Sequence, residues 1–175
     1  MCATGDIIAV MDADGQHDPS YIGLALEKIE IKKVDIVLGS RFMEGSIIKG
    51  LSQERKSSSS VANSLARLSL YGSYDYLTDY MSGFFVFKRD VCIELVEKID
   101  VQGFKFFYEL LAISKGKLKI FEIPLIFKER EHGNSKLDLP VVWDFLISLL
   151  HTFSGRLVPR RAVSFALVGS TGVFI

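Results

Sequence analysis

Short apolar runs that end in polar turns alternate along this chain with stretches of helical periodicity, and that alternation predicts an α/β fold. Ile7-Ile8-Ala9-Val10-Met11 reads as a buried strand over 6–11 that stops at Asp12. Asp18-Pro19-Ser20 opens a helix over 19–31, with Asp18 placed to cap it and Pro19 suited to its first turn. Val34 to Leu38 is a second strand, followed by a Gly-Ser-Arg loop at 39–41. Strand, helix and strand in this order predict a parallel βαβ unit.

Further on, the pattern predicts a helix over 53–71, a turn from Asp79 to Gly83 and a buried strand at Phe84-Phe85-Val86-Phe87. Helices follow over 89–98 and from Phe104 to Ser114, then a strand from Lys119 to Ile123 with an extended continuation to Lys128. Glu129 to Asp138 is a polar loop. Pro140 opens a helix whose apolar face carries Trp143, Leu146, Ile147, Leu150 and Phe153, and such a face suits a membrane interface, with a plain amphipathic core helix as the alternative. No internal repeat is visible.

The last 14 residues, Ala162 to Ile175, carry no charge and follow Arg156, Arg160 and Arg161. A spanning helix needs about 20 apolar residues, so the segment reads as the start of a truncated transmembrane helix with its basic residues on the cytoplasmic side. A packed core segment is the alternative. Residues 1–6 lack the charged-then-apolar pattern of a signal peptide. Charge adds little: 21 basic and 21 acidic residues cancel, and no global field points to nucleic acid. Cys2 and Cys92 have neither metal-ligand nor redox spacing.

The chemistry begins where the first strand ends. Asp12 and Asp14 are spaced i, i+2 at the carboxyl end of a buried strand, where open α/β sheets bind ligands. Two carboxylates there repel unless a cation joins them, and a divalent cation carrying phosphates is the natural guest. An EF-hand loop fails, because its sixth position is His17 and its twelfth Gly23. A phosphatase of the haloacid dehalogenase type would use Asp12 as nucleophile in Asp-x-Asp-Gly-Thr, but Gln16 replaces Thr. A nucleotide-sugar glycosyltransferase would use the pair for metal, with Gln16 as a further oxygen ligand. Basic and hydroxyl residues recur at loop and helix positions: Arg41, then Arg55 and Ser59 one turn apart, then Arg130, Ser135 and Lys136. With a metal-bound pair they can gather phosphates, since Arg clamps phosphate through a planar fork.

The segments Asp12 to His17, Gly39-Ser40-Arg41-Phe42, Arg55 and Ser59 with Ala62-Asn63, Asp79 to Phe84, Gly103 to Phe106 and Arg130 to Leu137 together resemble one family. It is that of the dolichol-phosphate mannose synthases, polyprenyl-phosphate glycosyltransferases of glycosyltransferase family 2. The resemblance implies an α/β GT-A (Rossmann-like) domain with a mixed sheet over 1–139, an amphipathic interfacial helix and linker over 140–158, and a truncated transmembrane segment over 159–175. It implies Mg²⁺ or Mn²⁺ on Asp12, Asp14 and Gln16. Arg41, Arg55, Ser59, Arg130, Ser135 and Lys136 would hold the donor and acceptor phosphates, with Asp14, Arg41 and Arg130 nearest the chemistry. The partners implied are a nucleotide-sugar donor such as GDP-mannose, a polyprenyl or dolichyl phosphate acceptor, and a membrane whose cytoplasmic face carries the catalytic part. An acceptor phosphate is already anionic, so inverting attack on the sugar needs no general base.

Two departures stand out: Gly15 replaces a usual Leu, and Tyr80-Met81 a common Pro-Thr. Family members carry a first βαβ unit for the nucleotide ahead of the Asp-x-Asp strand, whereas only 11 residues precede Asp12. The expectation is a chain cut at both ends and inactive alone. A membrane-associated scaffold without catalysis is the non-enzymatic alternative.

Overall fold

The computed structural model describes residues 3–49, 53–99, 105–128, 139–159 and 162–164. The first apolar run forms β1 (Ile7–Met11), followed by α1 (Tyr21–Lys32), β2 (Ile36–Ser40), a short β3 (Ile47–Ile48) and α2 (Gln53–Ser69). Then come β4 (Phe84–Lys88), α3 (Arg89–Val96), α4 (Phe106–Ser114), β5 (Ile120–Pro124), β6 (Ile126–Phe127) and α5 (Leu139–Phe153).

Four strands form a mixed sheet in the order β1-β4-β2-β5. β4 runs antiparallel to both β1 and β2, while β2 and β5 are parallel. β1 and β2 therefore point the same way, as a parallel βαβ unit requires, but with β4 lying between them. The reason lies in β4: Phe84, Phe85, Val86 and Phe87 are all buried, and a strand apolar on both faces belongs in the middle of a sheet. Side-chain alternation sends Ile36, Leu38, Phe85 and Phe87 to one face, against Tyr108 and Leu111 of α4. Val37, Phe84 and Val86 go to the other face, against Ala25 and Ile29 of α1.

Element boundaries shift for local reasons. α1 begins two residues later than expected because the Asp18 carboxylate accepts the Ser20 N–H at 3.0 Å, and the Asp18 and Pro19 carbonyls take the next two N–H groups. Asp18 thus builds a turn ahead of the helix instead of capping its first residues. β2 extends past Leu38 because Gly39 and Ser40 pair with Ile123 and Pro124 of β5. Beyond Pro124 the chain joins β6 to β3 in a separate parallel pair.

α5 has two apolar faces. Phe145 and Leu149 join the main core, with Phe145 edge-on to Tyr108 at 5.9 Å between ring centroids. Lys105 pairs with Asp144, and Arg156 reaches the buried Glu109 at 3.1 Å. Val142, Leu146, Leu150 and Phe153 remain exposed, with Leu157 beyond them. Ile147, expected among the outward group, is buried. Arg156, expected to flank a membrane, is occupied by Glu109. Among the described residues no helix is long and apolar enough to cross a membrane. The spanning segment expected at 159–175 lies outside the described residues except at 159 and 162–164.

Candidate active site

The carboxyl ends of β1, β2 and β5 and the start of β4 meet along one edge of the sheet, because Met11 pairs with Phe84, Leu38 with Phe85, and Ser40 with Pro124. Asp12, Arg41 and the turn 79–83 leave the sheet at that edge, where open α/β sheets place their ligands.

Asp12 carries a side chain 56 % exposed, and Asp14 is half-buried. Gly15 follows with φ of +82°, in the left-handed region that side chains resist. The departure at this position therefore coincides with a sharp reversal of the backbone. Gln16 is buried, its side-chain amide donating to the Lys128 carbonyl at 3.2 Å while its backbone carbonyl accepts the Lys128 N–H at 3.0 Å. Lys128 Nζ in turn meets Asp18 at 3.0 Å. Gly83 lies directly beneath Asp12: a Cβ built on it would overlap the carboxylate, at 2.6 Å from Asp12 Cγ. Glycine there is what lets the turn approach the acid.

His17 closes the segment. Its ring packs against Phe127 at 5.2 Å and Phe84 at 5.8 Å, with Nε2 3.9 Å from Oδ2 of Asp12. Burial pulls its pKa down to about 4, Asp14 only partly opposing it, so the ring is neutral at ordinary pH.

Arg41 is engaged by protein. Its Nε and one terminal nitrogen donate to the two oxygens of Asp79 at 2.7 and 2.9 Å, and it also donates to the Met81 carbonyl at 3.1 Å. The Arg41 backbone N–H and that of Met81 reach the same carboxylate at 3.1 and 3.0 Å. Asp79 is fully buried and the Arg41 side chain 14 % exposed. Burial opposes the guanidinium charge, but Asp79 more than restores it, and the Arg41 pKa rises. Phe42 and Phe127 flank the cation at 5.3 and 5.9 Å.

The turn bearing Asp79 is held from three sides. Glu122 of β5 accepts the Thr78 N–H and hydroxyl and the Asp79 N–H, at 3.0 to 3.2 Å. Burial still raises the Glu122 pKa despite those bonds. Asn63 of α2 donates to the Thr78 carbonyl and accepts the Tyr80 N–H, both at 2.7 Å. Ser40 meets the Thr78 hydroxyl at 2.6 Å, and Ser82 donates to the Gly39 carbonyl at 2.6 Å. The bond from Tyr80 N–H could not exist with proline there, so the departure at 80 supplies a donor to the turn.

Of the expected site residues, Asp12, Asp14, Gln16 and Arg41 come together at the sheet edge. Ser59 is half-buried on α2, one turn before Asn63. The Arg55 side chain lies outside the described residues, as do Arg130, Ser135 and Lys136. Asp79, Glu122, Asn63 and Gly83 received no role from sequence. Glu122 did carry a signal, a lone acid inside the apolar run Ile120 to Leu125, where burial demands partners.

Among the described residues no group of three or more His, Cys, Asp and Glu is arranged to hold a metal. The donor chemistry still fits a divalent cation: two hard carboxylates on an open edge suit Mg²⁺ or Mn²⁺, which completes its shell with phosphate oxygens and water.

A mixed α/β sheet with a carboxylate pair at the end of β1 defines an open-sheet α/β protein whose ligand edge lies at the strand ends. Residues 1–96 match the model of glycosyl transferase family 2, and the chain belongs to that family. Within it the chain is similar to polyprenyl-phosphate mannosyltransferases. It is 34 % identical over 99 % of its length to a dolichol-phosphate mannosyltransferase of Pyrococcus furiosus, covering 48 % of that protein. It is 29 % identical over 82 % of its length to an undecaprenyl-phosphate mannosyltransferase of Micrococcus luteus, covering 58 % of it. The chain thus spans about half the length of the curated relatives it matches. Among solved structures, glucosyl-3-phosphoglycerate synthase of Mycobacterium tuberculosis, in complex with Mn²⁺, UDP and glucosyl-3-phosphoglycerate, superposes with a TM-score of 0.56. At 16 % identity, over 88 % of this chain and 50 % of that one, the likeness shows a shared GT-A-like fold. Membership of family 2 replaces the phosphatase reading of Asp12.

Proposed function

We propose that the chain serves metal-dependent, inverting transfer of a hexosyl group, mannose from GDP-mannose, to a polyprenyl or dolichyl phosphate at the cytoplasmic face of a membrane. The observation that carries the reading is the pair Asp12 and Asp14 at the end of β1, with Gly83 cleared away beneath Asp12. Asp12, Asp14 and the Gln16 side chain would hold the cation, which when bound neutralises the departing nucleoside diphosphate. Arg41, held in place by Asp79, is proposed to meet those phosphates from beside the carboxylates. An anionic acceptor phosphate attacks the anomeric carbon as the diphosphate leaves, so the side chains orient and neutralise without moving a proton. Arg55, Ser59, Arg130, Ser135 and Lys136 are proposed to gather those phosphates.

The exposed row Val142, Leu146, Leu150, Phe153 and Leu157, spaced three or four residues apart, supports a membrane-facing side of α5. The test is calorimetry of Mn²⁺ with GDP-mannose on the protein and on Asp14→Ala, alongside transfer of labelled mannose to dolichyl phosphate. Cation binding that vanishes in the variant, and with it any transfer the parent supports, is expected. Metal-dependent transfer unchanged in Asp14→Ala would overturn the metal assignment. A parent that binds neither cation nor donor would point to the scaffold instead.

A further inference from the structure

His17 has no role in the reading above, yet its position is unusual. It is 6 % exposed, and neither ring nitrogen has a hydrogen-bond partner among the described residues. Leaving a buried polar group unpaired costs about 1–3 kcal/mol. The slot between Phe84 and Phe127 is aromatic and would accept a phenyl ring of similar shape, so packing alone gives no reason for nitrogen there. Nε2 faces Oδ2 of Asp12 at 3.9 Å, beyond hydrogen-bond range by a few tenths of an ångström. The imidazole is held between two rings, so closing the gap falls to the Asp12 carboxylate.

We propose that His17 is a positioning residue of the cation site, donating its Nε2–H to Oδ2 of Asp12 when a divalent cation draws that carboxylate into its bound position. The bond fixes which lone pairs of Asp12 face the cation. Direct ligation is the poorer choice for the ring, since Mg²⁺ prefers oxygen donors. The inference rests on the cation reading of Asp12 and Asp14 proposed above.

Mn²⁺ is the probe, titrated into the 175-residue chain with and without GDP and followed by the free-ion EPR signal. His17→Phe is expected to keep the far-UV circular dichroism of the parent, with a thermal midpoint no lower, while weakening Mn²⁺ about 10–100-fold, the usual effect of losing a partner that orients a ligand. His17→Asn, which retains an N–H donor, should recover part of that loss. In the parent, saturating Mg²⁺ should shift the His17 imidazole ¹⁵N–¹H resonance downfield, a readout that needs no variant. Mn²⁺ affinity in His17→Phe within twofold of the parent, an imidazole resonance unmoved by Mg²⁺, or a directly bonded ¹⁴N in pulsed EPR would each overturn the proposal. If the parent binds Mn²⁺ and only the His17 results fail, the cation reading survives alone. If Asp14→Ala binds as tightly as the parent, that reading falls and takes this one with it.

Discussion

Removing the Asp79 carboxylate tests whether Arg41 is held as the structure shows. The carboxylate accepts four N–H groups, two of them from the guanidinium at 2.7 and 2.9 Å. Charge-assisted bonds contribute about 1.5–3 kcal/mol each, so the fork alone accounts for roughly 3–6 kcal/mol. An independent route gives a similar figure: removing one partner of a buried pair leaves an uncompensated charge and costs about 3–5 kcal/mol. Arg41 keeps 14 % of its side chain in solvent, which favours the lower half of that range. Asp79→Ala should therefore lose about 3–4 kcal/mol, a large part of the stability of a domain this size. Urea denaturation followed by circular dichroism measures it, with Asp79→Asn as the milder variant of the same shape. In a double-mutant cycle, Arg41→Met with Asp79→Ala should cost at least ~2 kcal/mol less than the sum of the singles. Salt should not mimic the effect, because a buried pair is poorly screened. A loss below about 1 kcal/mol, or additivity within about 0.5 kcal/mol, would refute the reasoning.

Gly83→Ala should displace the Asp12 carboxylate, at a cost of about 1–3 kcal/mol in thermal unfolding, and weaken Mn²⁺ binding in parallel. Asn63→Ala removes two bonds of 2.7 Å to the 78–80 turn and should lose about 2 kcal/mol by urea titration. His17 has a folded pKa of about 4 against 6.5 when unfolded. Its contribution is thus fully present above pH 6.5 and lost as pH falls toward 4, by about 3 kcal/mol. His17→Phe should flatten that part of the pH–stability curve, and an unchanged slope would rule the imidazole out as its source.

The strands and the carboxylate pair were legible because each carries a local signal. Ile7 to Met11 is an uninterrupted apolar run, and Asp12 and Asp14 break it at its end. The insertion of β4 between β1 and β2 was not legible, because β4 is distant in sequence and only its two-sided burial dictates a central place. The role of Arg41 divides in the same way. An arginine after a strand announces a possible phosphate contact, but nothing nearby in sequence announces Asp79. Glu122, Asn63 and Ser40 converge on one turn from three separate elements, a convergence that exists only in the fold. The outward and inward faces of α5 were partly misread because both are apolar, and periodicity cannot say which of two such faces meets the core.

The sheet order also bears on how the molecule comes to exist. Every pairing in the four-stranded sheet joins segments far apart in sequence: Ile8 meets Phe87, Val37 meets Val86, and Ile36 meets Ile120. No hairpin nucleates it, so the entropy of closing long loops is paid before any pairing repays it, and such topologies fold slowly. Gly83 arrives beneath Asp12 only when β4 docks between its two neighbours. The acidic end of β1 thus acquires its shape only through a pairing with a strand more than 70 residues away in sequence.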